Sequence, residues 1–251
     1  MESKKGITMP NTPKVTIITP TTGKKTLFNL IETITRQKIP VMHLLLWDDK
    51  REDDFANGLM TPEKLDKKEY WDTYQYMVNN IILKGNRVNG IAAGSALRAI
   101  GLMAANTDFV TFADDDIMWE DGHLESMLQA VSSPNTAWAY CKRKIWAKLP
   151  DNNGPQYELI GIDEFESIGE DSKLPYKMVD NNSLIFRREF GVSGACVYRE
   201  TKEYNDDRLF YDFLKTYGGE PAKTGLATVN QICPNRLIGF FRQGCTKVTT
   251  P

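Results

Sequence analysis

Phe112-Ala113-Asp114-Asp115-Asp116 sets three carboxylates directly after an apolar run, Asp108 to Ala113 (DFVTFA). Side chains of an extended segment alternate between faces, so Asp114 and Asp116 are expected on one side and Asp115 on the other. Two like charges at a strand end repel, and a divalent cation beside them relieves the repulsion. Hard oxygen ligands suit magnesium or manganese, which take one or two carboxylates and complete their shells with phosphate oxygens and water. An isolated acidic triplet is more often a solvated turn; its place after a buried strand in a βα series favours the chemical reading. A second acidic pair, Asp206-Asp207, opens a segment with Leu209, Phe210, Phe213 and Leu214 at helical spacing. Acids there either stabilise a helix N-terminus or supply a carboxylate base.

These residues need a scaffold, and the hydrophobic pattern outlines one. Val15 to Thr19 (VTIIT) reads as a buried strand closed by Pro20. Leu27, Leu30, Ile31 and Ile34 then fall at helical spacing, and His43 to Trp47 (HLLLW) is a second strand stopped by Asp48 and Asp49. Strand, helix, strand begins a parallel sheet. Thr61-Pro62-Glu63 is a good helix start, and Tyr70, Tyr74, Met77 and Ile81 extend that expected helix to about Leu83. A helix over Ala93 to Ala105 leads into the strand that carries the acids. Further on, Ala137 to Lys148 reads as a strand or hairpin, Leu149 to Asp180 as a long loop, Asn182 to Phe186 as a strand and Asp206 to Tyr217 as a helix stopped by Gly218-Gly219. In open α/β sheets ligands bind where strands end in polar loops.

Composition narrows the classes. The 251 residues carry 31 Lys plus Arg against 33 Asp plus Glu, a net charge of −2, which argues against a protein that coats nucleic acid. Apolar runs fall short of the roughly 20 residues that span a bilayer, and Met1 to Thr12 shows no apolar signal region. A cytoplasmic location, compatible with peripheral membrane association, is the expectation. Four scattered cysteines and two histidines do not have zinc-site spacing. An EF-hand loop starting at Asp114 would need its Gly at Trp119, and a P-loop ending at Gly23-Lys24 would need Gly at Ile18 and Ser or Thr at Lys25. Both are excluded. Trp47 and Trp119 could stack on a base or sugar but are more often core, and Arg236, Arg242 and Lys247 could meet a diphosphate but are more often solvated surface.

The pieces VTIITPTTGKKTLFNLIETITRQ, HLLLWDD, GSALRAIGLMAANTDFVTFADDD, SLIFRREF and NDDRLFYDFLKTYGG, in this order, resemble a family 2 glycosyltransferase of the GT-A fold. The resemblance implies a single α/β domain over 1–251, with a Rossmann-like, mostly parallel central sheet flanked by helices. Residues 14–120 would form its nucleotide-binding half and 121–251 its acceptor half, with Leu149 to Asp180 shaping the acceptor side. It implies an inverting, hexosyltransferase-like enzyme dependent on manganese or magnesium. A nucleotide-diphospho-sugar, UDP-sugar favoured, would be the donor and a hydroxyl of a glycan or glycolipid the acceptor. By resemblance Thr19, Pro20, Thr21 and Asp48 or Asp49 hold the nucleotide base. Arg98 matches the family's arginine before the third strand. Asp114 and Asp115 stand nearest ribose or sugar, Asp116 with Asp114 takes the metal, and Asp207, with Asp206 as second choice, is the base. The residues alone leave two other readings open: a nucleotidyltransferase, and a non-catalytic domain that binds nucleotide or glycan.

Overall fold

The structure, a computed structural model, describes residues 12–48, 76–83, 94–149, 156–164, 178–200 and 206–245. Among these residues nine strands form one sheet in the order β3-β2-β1-β4-β8-β6-β9-β5, with β7 added to β6. They are β1 (Val15–Thr21), β2 (Val41–Asp48), β3 (Tyr76–Leu83), β4 (Phe109–Phe112), β5 (Ile117–Trp119), β6 (Trp138–Leu149), β7 (Gln156–Asp163), β8 (Leu184–Arg187) and β9 (Ala222–Cys233). β3, β2, β1 and β4 are mutually parallel. β8 runs against β4 and β6, and β9 runs with β6, so six strands share one direction and the sheet is mostly parallel. β5 and β7 run against their neighbours.

Among the described residues six helices cover the sheet: α1 (Leu27–Thr35), α2 (Ser95–Ala104), α3 (His123–Ala130), α4 (Arg188–Glu200), α5 (Asp206–Gly218) and α6 (Ile238–Gly244). Strand alternation sends Val15 and Ile17 to one face, where α1 and α3 supply Leu27, Leu30, Ile31 and Met127. It sends Ile18, Leu44 and Leu46 to the other, where Leu102, Tyr198, Phe210 and Leu214 from α2, α4 and α5 meet them. Fully burying such side chains contributes about 1.5–3 kcal/mol each before ordering costs. Among the described residues no helix is long and apolar enough to cross a membrane.

Two sequence expectations change. Tyr76–Leu83 is not the end of a helix but strand β3, paired residue by residue with Val41–Asp48. Val78 packs with one core and Ile81 with the other, an arrangement that requires strand alternation. The open edge of β2 offers this segment a full ladder, and that pairing outweighs the local helical spacing. The expected start of the helix at Thr61 lies outside the described residues. Within the expected loop Leu149 to Asp180, Gln156–Asp163 is β7, which makes β6 one long strand and the first arm of a hairpin. The strand expected at Asn182 begins two residues later, after a 3₁₀ turn at Asn181–Ser183.

The order of strands creates a crevice. β4 matches β1 only as far as Ile18 and Phe112, while β1 continues beside β2 to Thr21. The two chains therefore part at the C-terminal edge, where α1 follows β1 on one face and α2 precedes β4 on the other, the usual ligand position in open sheets. α2 lies unusually close to β1 there. A Cβ on Gly101 would stand 2.6 Å from Cγ2 of Ile18. Gly101→Val should therefore lower stability by about 1–3 kcal/mol in urea denaturation, even though Gly is the poorer helix former. An unchanged urea midpoint would contradict that close approach.

Candidate active site

The loops at this edge enclose a cleft of about 210 Å³, lined by Pro20, Thr21, Thr22, Lys24, Asp48, Gly94, Leu97, Arg98 and the acidic triplet. Asp48 arrives at the end of β2, and Thr21 at the end of β1. Gly23 has a φ of 80°, which favours glycine, and its N–H donates to Thr21 Oγ1 at 2.9 Å. The same hydroxyl donates to Asp115 Oδ2 at 2.8 Å. Thr21 thus ties the first loop to the acidic loop. Lys24, delivered by that turn, sets its Nζ 2.9 Å from an oxygen of Asp115 and 2.9 Å from one of Asp116.

The triplet does not keep strand alternation. β4 ends at Phe112, and the Ile117 N–H donates to the Asp114 carbonyl at 3.3 Å, so residues 114–117 form a turn. Asp115 and Asp116 consequently share Lys24, while Asp114 faces the other way. Its Oδ1 accepts from Arg98 Nη2 at 2.6 Å and its Oδ2 from Asn182 Nδ2 at 3.1 Å. Asn182 Oδ1 also accepts from the Asp114 N–H at 2.6 Å. Burial alone would raise the Asp114 carboxyl, but Arg98 and Asn182 outweigh it and hold it below the usual carboxylate range. The expected placement of Asp114 and Asp116 on one side is overturned: each faces a different cation.

Arg98 carries the link to the second acidic pair. It projects from the first turns of α2, and a Cβ on Gly94 would come within 2.8 Å of its Nη1, so a side chain there would make the guanidinium shift. Nη1 reaches Asp206 Oδ2 at 3.4 Å, an oxygen that also accepts from Ser95 Oγ at 2.6 Å. Asp206 therefore opens α5 with its carboxylate directed across to α2. Asp207 follows, also in the first turn, and accepts from Asn181 Nδ2. Burial pushes its carboxyl up to about 8; Arg98 opposes the rise, and Asp180, Asp206 and Asp114 add to it. On Asp116, burial and the other two acids of the triplet outweigh Lys24 and raise the carboxyl.

Residues 16–190 match the family described as glycosyl transferase family 2. The chain belongs to that family. A curated relative, GalNAc(5)-diNAcBac-PP-undecaprenol beta-1,3-glucosyltransferase of Campylobacter jejuni, is 22% identical over 196 residues, 78% of this chain and 56% of its own. The crystal structure of S. aureus TarS 1-349 superposes with a TM-score of 0.60 at 17% identity, covering 91% of this chain and 65% of that one. The same protein in complex with UDP-GlcNAc gives 0.55 at 14% identity, covering 88% and 59%. These likenesses show the GT-A fold, and the chain spans less than two thirds of the length of each of these three.

Of the residues expected to act in this family 2 chain, Pro20, Thr21, Asp48, Arg98 and Asp114 to Asp116 line one cleft; Asp206 is tied to it through Arg98, and Asp207, next in sequence, is held by Asn181. Thr19 does not line it: the side chain is fully buried and bonded to His43 Nε2 at 2.7 Å. Asp49 lies outside the described residues. Trp47 and Trp119 belong to the core, Trp47 donating to Asn80 and Trp119 stacked on His123. Arg242 pairs with Glu158 on β7 rather than reaching the cleft. Lys247 is not described, and neither is the side chain of Arg236.

Sequence reasoning missed Asn181 and Asn182, whose two amides hold Asp207 and Asp114 from one 3₁₀ turn, itself fixed by Asp180 accepting from the Asn182 N–H at 3.0 Å. Asp180 is in turn held 2.7 Å from Arg143. An Asp-Asn-Asn run after a long irregular stretch is the one signal the sequence offers for this turn.

The raised Asp207 has a stability consequence with a definite sign. Between the usual carboxylate range and about 8, the folded protein holds a proton that the unfolded chain has released. This group's contribution to stability therefore falls as pH rises through that window. Asp207→Asn should remove that slope, so that its stability relative to wild type rises from about pH 5 to about pH 9 in urea denaturation. A pH-independent difference between the two proteins would contradict the raised carboxyl.

Proposed function

We propose that the chain is an inverting glycosyltransferase that moves a sugar from a UDP-sugar to a hydroxyl of a glycan or glycolipid. The observation that carries this reading is the Arg98 guanidinium at the cleft, which joins the strand-end acidic turn through Asp114 to Asp206, next in sequence to the raised carboxyl of Asp207. Family membership and the UDP-GlcNAc complex of TarS support the donor class. The lipid-linked glycan in the name of the Campylobacter relative supports the acceptor class. On this reading residues 14–120 serve the donor and 121–251 the acceptor within one domain, working in the cytoplasm and at the membrane surface when the acceptor is lipid-linked.

The residues perform separable tasks. Asp48, Pro20 and Thr21 border the part of the cleft that would take the nucleotide base. Asp114, already neutralised by Arg98, suits hydroxyl recognition on ribose or sugar. Asp207 takes the proton from the acceptor hydroxyl as its oxygen attacks the anomeric carbon opposite the diphosphate, which inverts that centre. A base that titrates near the working pH accepts the proton without holding it too weakly or too tightly.

Magnesium or manganese fits the site. Among the described residues no group of three or more His, Cys, Asp or Glu side chains converges on a point, yet Asp116 keeps half of its side chain exposed in the cleft and its charge is incompletely matched. A single carboxylate with diphosphate oxygens and water is an ordinary shell for these ions. Asp116 would hold it, and the ion would supply charge neutralisation for the leaving diphosphate.

Isothermal titration of UDP with and without manganese tests the donor part: binding should tighten with the metal, and Asp116→Ala should abolish that gain. Binding indifferent to both would contradict the metal assignment. Asp207→Ala should lower turnover by about 10²–10⁴-fold while leaving UDP affinity unchanged; persistent transfer would place the base elsewhere.

A further inference from the structure

The chemistry assigned so far leaves one charged side chain in the cleft without a role. Lys24 stands half exposed at the mouth, with its Nζ 2.9 Å from Asp115 and 2.9 Å from Asp116. Asp115 is almost wholly buried and is further held by Thr21, whereas Asp116 is half exposed. One end of this bridge is therefore fixed and the other is accessible. Asp116 is also the carboxylate that suits a divalent cation, and an ammonium and a metal ion cannot both sit against the same oxygen, since like charges at that range repel strongly. A lysine is suited to such exchange, because its ammonium is a point charge on a flexible stem of four carbons.

We propose that Lys24 is an internal counter-ion that occupies the cation position of the cleft in the donor-free protein, and that its ammonium leaves Asp116 when a divalent cation and a diphosphate are bound. The proposal rests on the donor reading above. With Asp116 released, Asp115 and Thr21 keep the loop in place, and the freed ammonium is left in the same cleft as the diphosphate oxygens, which it can pair with. The exchange makes metal binding weak in the absence of nucleotide and strong in its presence, because only the diphosphate compensates the displaced lysine. A protein in which the competent state is populated a fraction of the time binds its ligand correspondingly more weakly.

Manganese binding to the full chain without nucleotide, read from the electron paramagnetic resonance of the free ion, tests this. Lys24→Met removes the ammonium and keeps the stem, Lys24→Gln repeats the test with a polar neutral group, and Lys24→Arg retains a cation. The neutral variants should bind manganese about tenfold more tightly than wild type, Lys24→Arg should resemble wild type, and UDP in saturating manganese should bind the neutral variants several-fold more weakly. Equal or weaker manganese binding by the neutral variants, with UDP still bound in a metal-dependent way, overturns the exchange and leaves the donor reading standing. Unchanged UDP affinity overturns the pairing with diphosphate. Failure of all four proteins to bind manganese, with or without UDP, overturns both the exchange and the metal assignment.

Discussion

The arrangement depends on a buried guanidinium set between carboxylates from two distant parts of the chain. Arg98 is 9% exposed and contacts Asp114 and Asp206, residues 92 positions apart in sequence. Taking such charges out of water costs several kcal/mol per ion unless each is matched. Here the match is mutual: Arg98 neutralises an acid at the end of β4 and another at the start of α5, Asn182 satisfies the second oxygen of Asp114, and Ser95 shares the Asp206 oxygen. The glycine at 94 that admits the guanidinium and the glycine at 101 that lets α2 press on β1 serve the same end. Without this cation Asp114 and Asp206 would keep only the neutral donors Asn182 and Ser95.

The remaining charge is where function enters. Arg98 and Lys24 share one small cleft with Asp48 and the acidic triplet, and Asp206 lies behind Arg98 with Asp207 next to it, so carboxylates outnumber cations. Two side chains, Asp116 and Asp207, have raised carboxyls, chiefly through burial and further through the neighbouring acids. On the proposed reading the first would meet a metal and a diphosphate, and the second would serve as the base. A net charge of −2 for the whole chain conceals this local imbalance.

Much of the cleft was legible in the sequence because its parts sit at ends of short-range elements. β1, α1, β2, α2, β4 and α5 each carry a complete apolar pattern, and Asp48, Arg98, Asp114 to Asp116 and Asp206-Asp207 lie on these elements or at their ends. What was not legible depends on long-range pairing. β3 reads as helix until β2 is there to pair with it, and β7 is polar at its start and has β6 as its only sheet partner among the described residues. Asn181 and Asn182 show no periodicity at all, and their importance lies in meeting Asp207 and Asp114 from a third segment. The turn at 114–117 defeated the alternation argument because β4 stops two residues before the first acid. Lys24 looked like a fragment of a failed phosphate loop, and its partners are 91 and 92 residues away.

The central claim is that one guanidinium couples the donor-end acid to the base-end acid and tempers the charge on Asp207. Carboxyl carbon NMR titration of ¹³C-aspartate-labelled protein, with Asp207 assigned by Asp207→Asn, measures this directly in wild type and in Arg98→Met. The account predicts that Asp207 titrates far above the usual carboxylate range, near 8, in wild type, and higher still once Arg98 is removed. Titration of Asp207 in the ordinary carboxylate range, or a midpoint indifferent to Arg98, would contradict it.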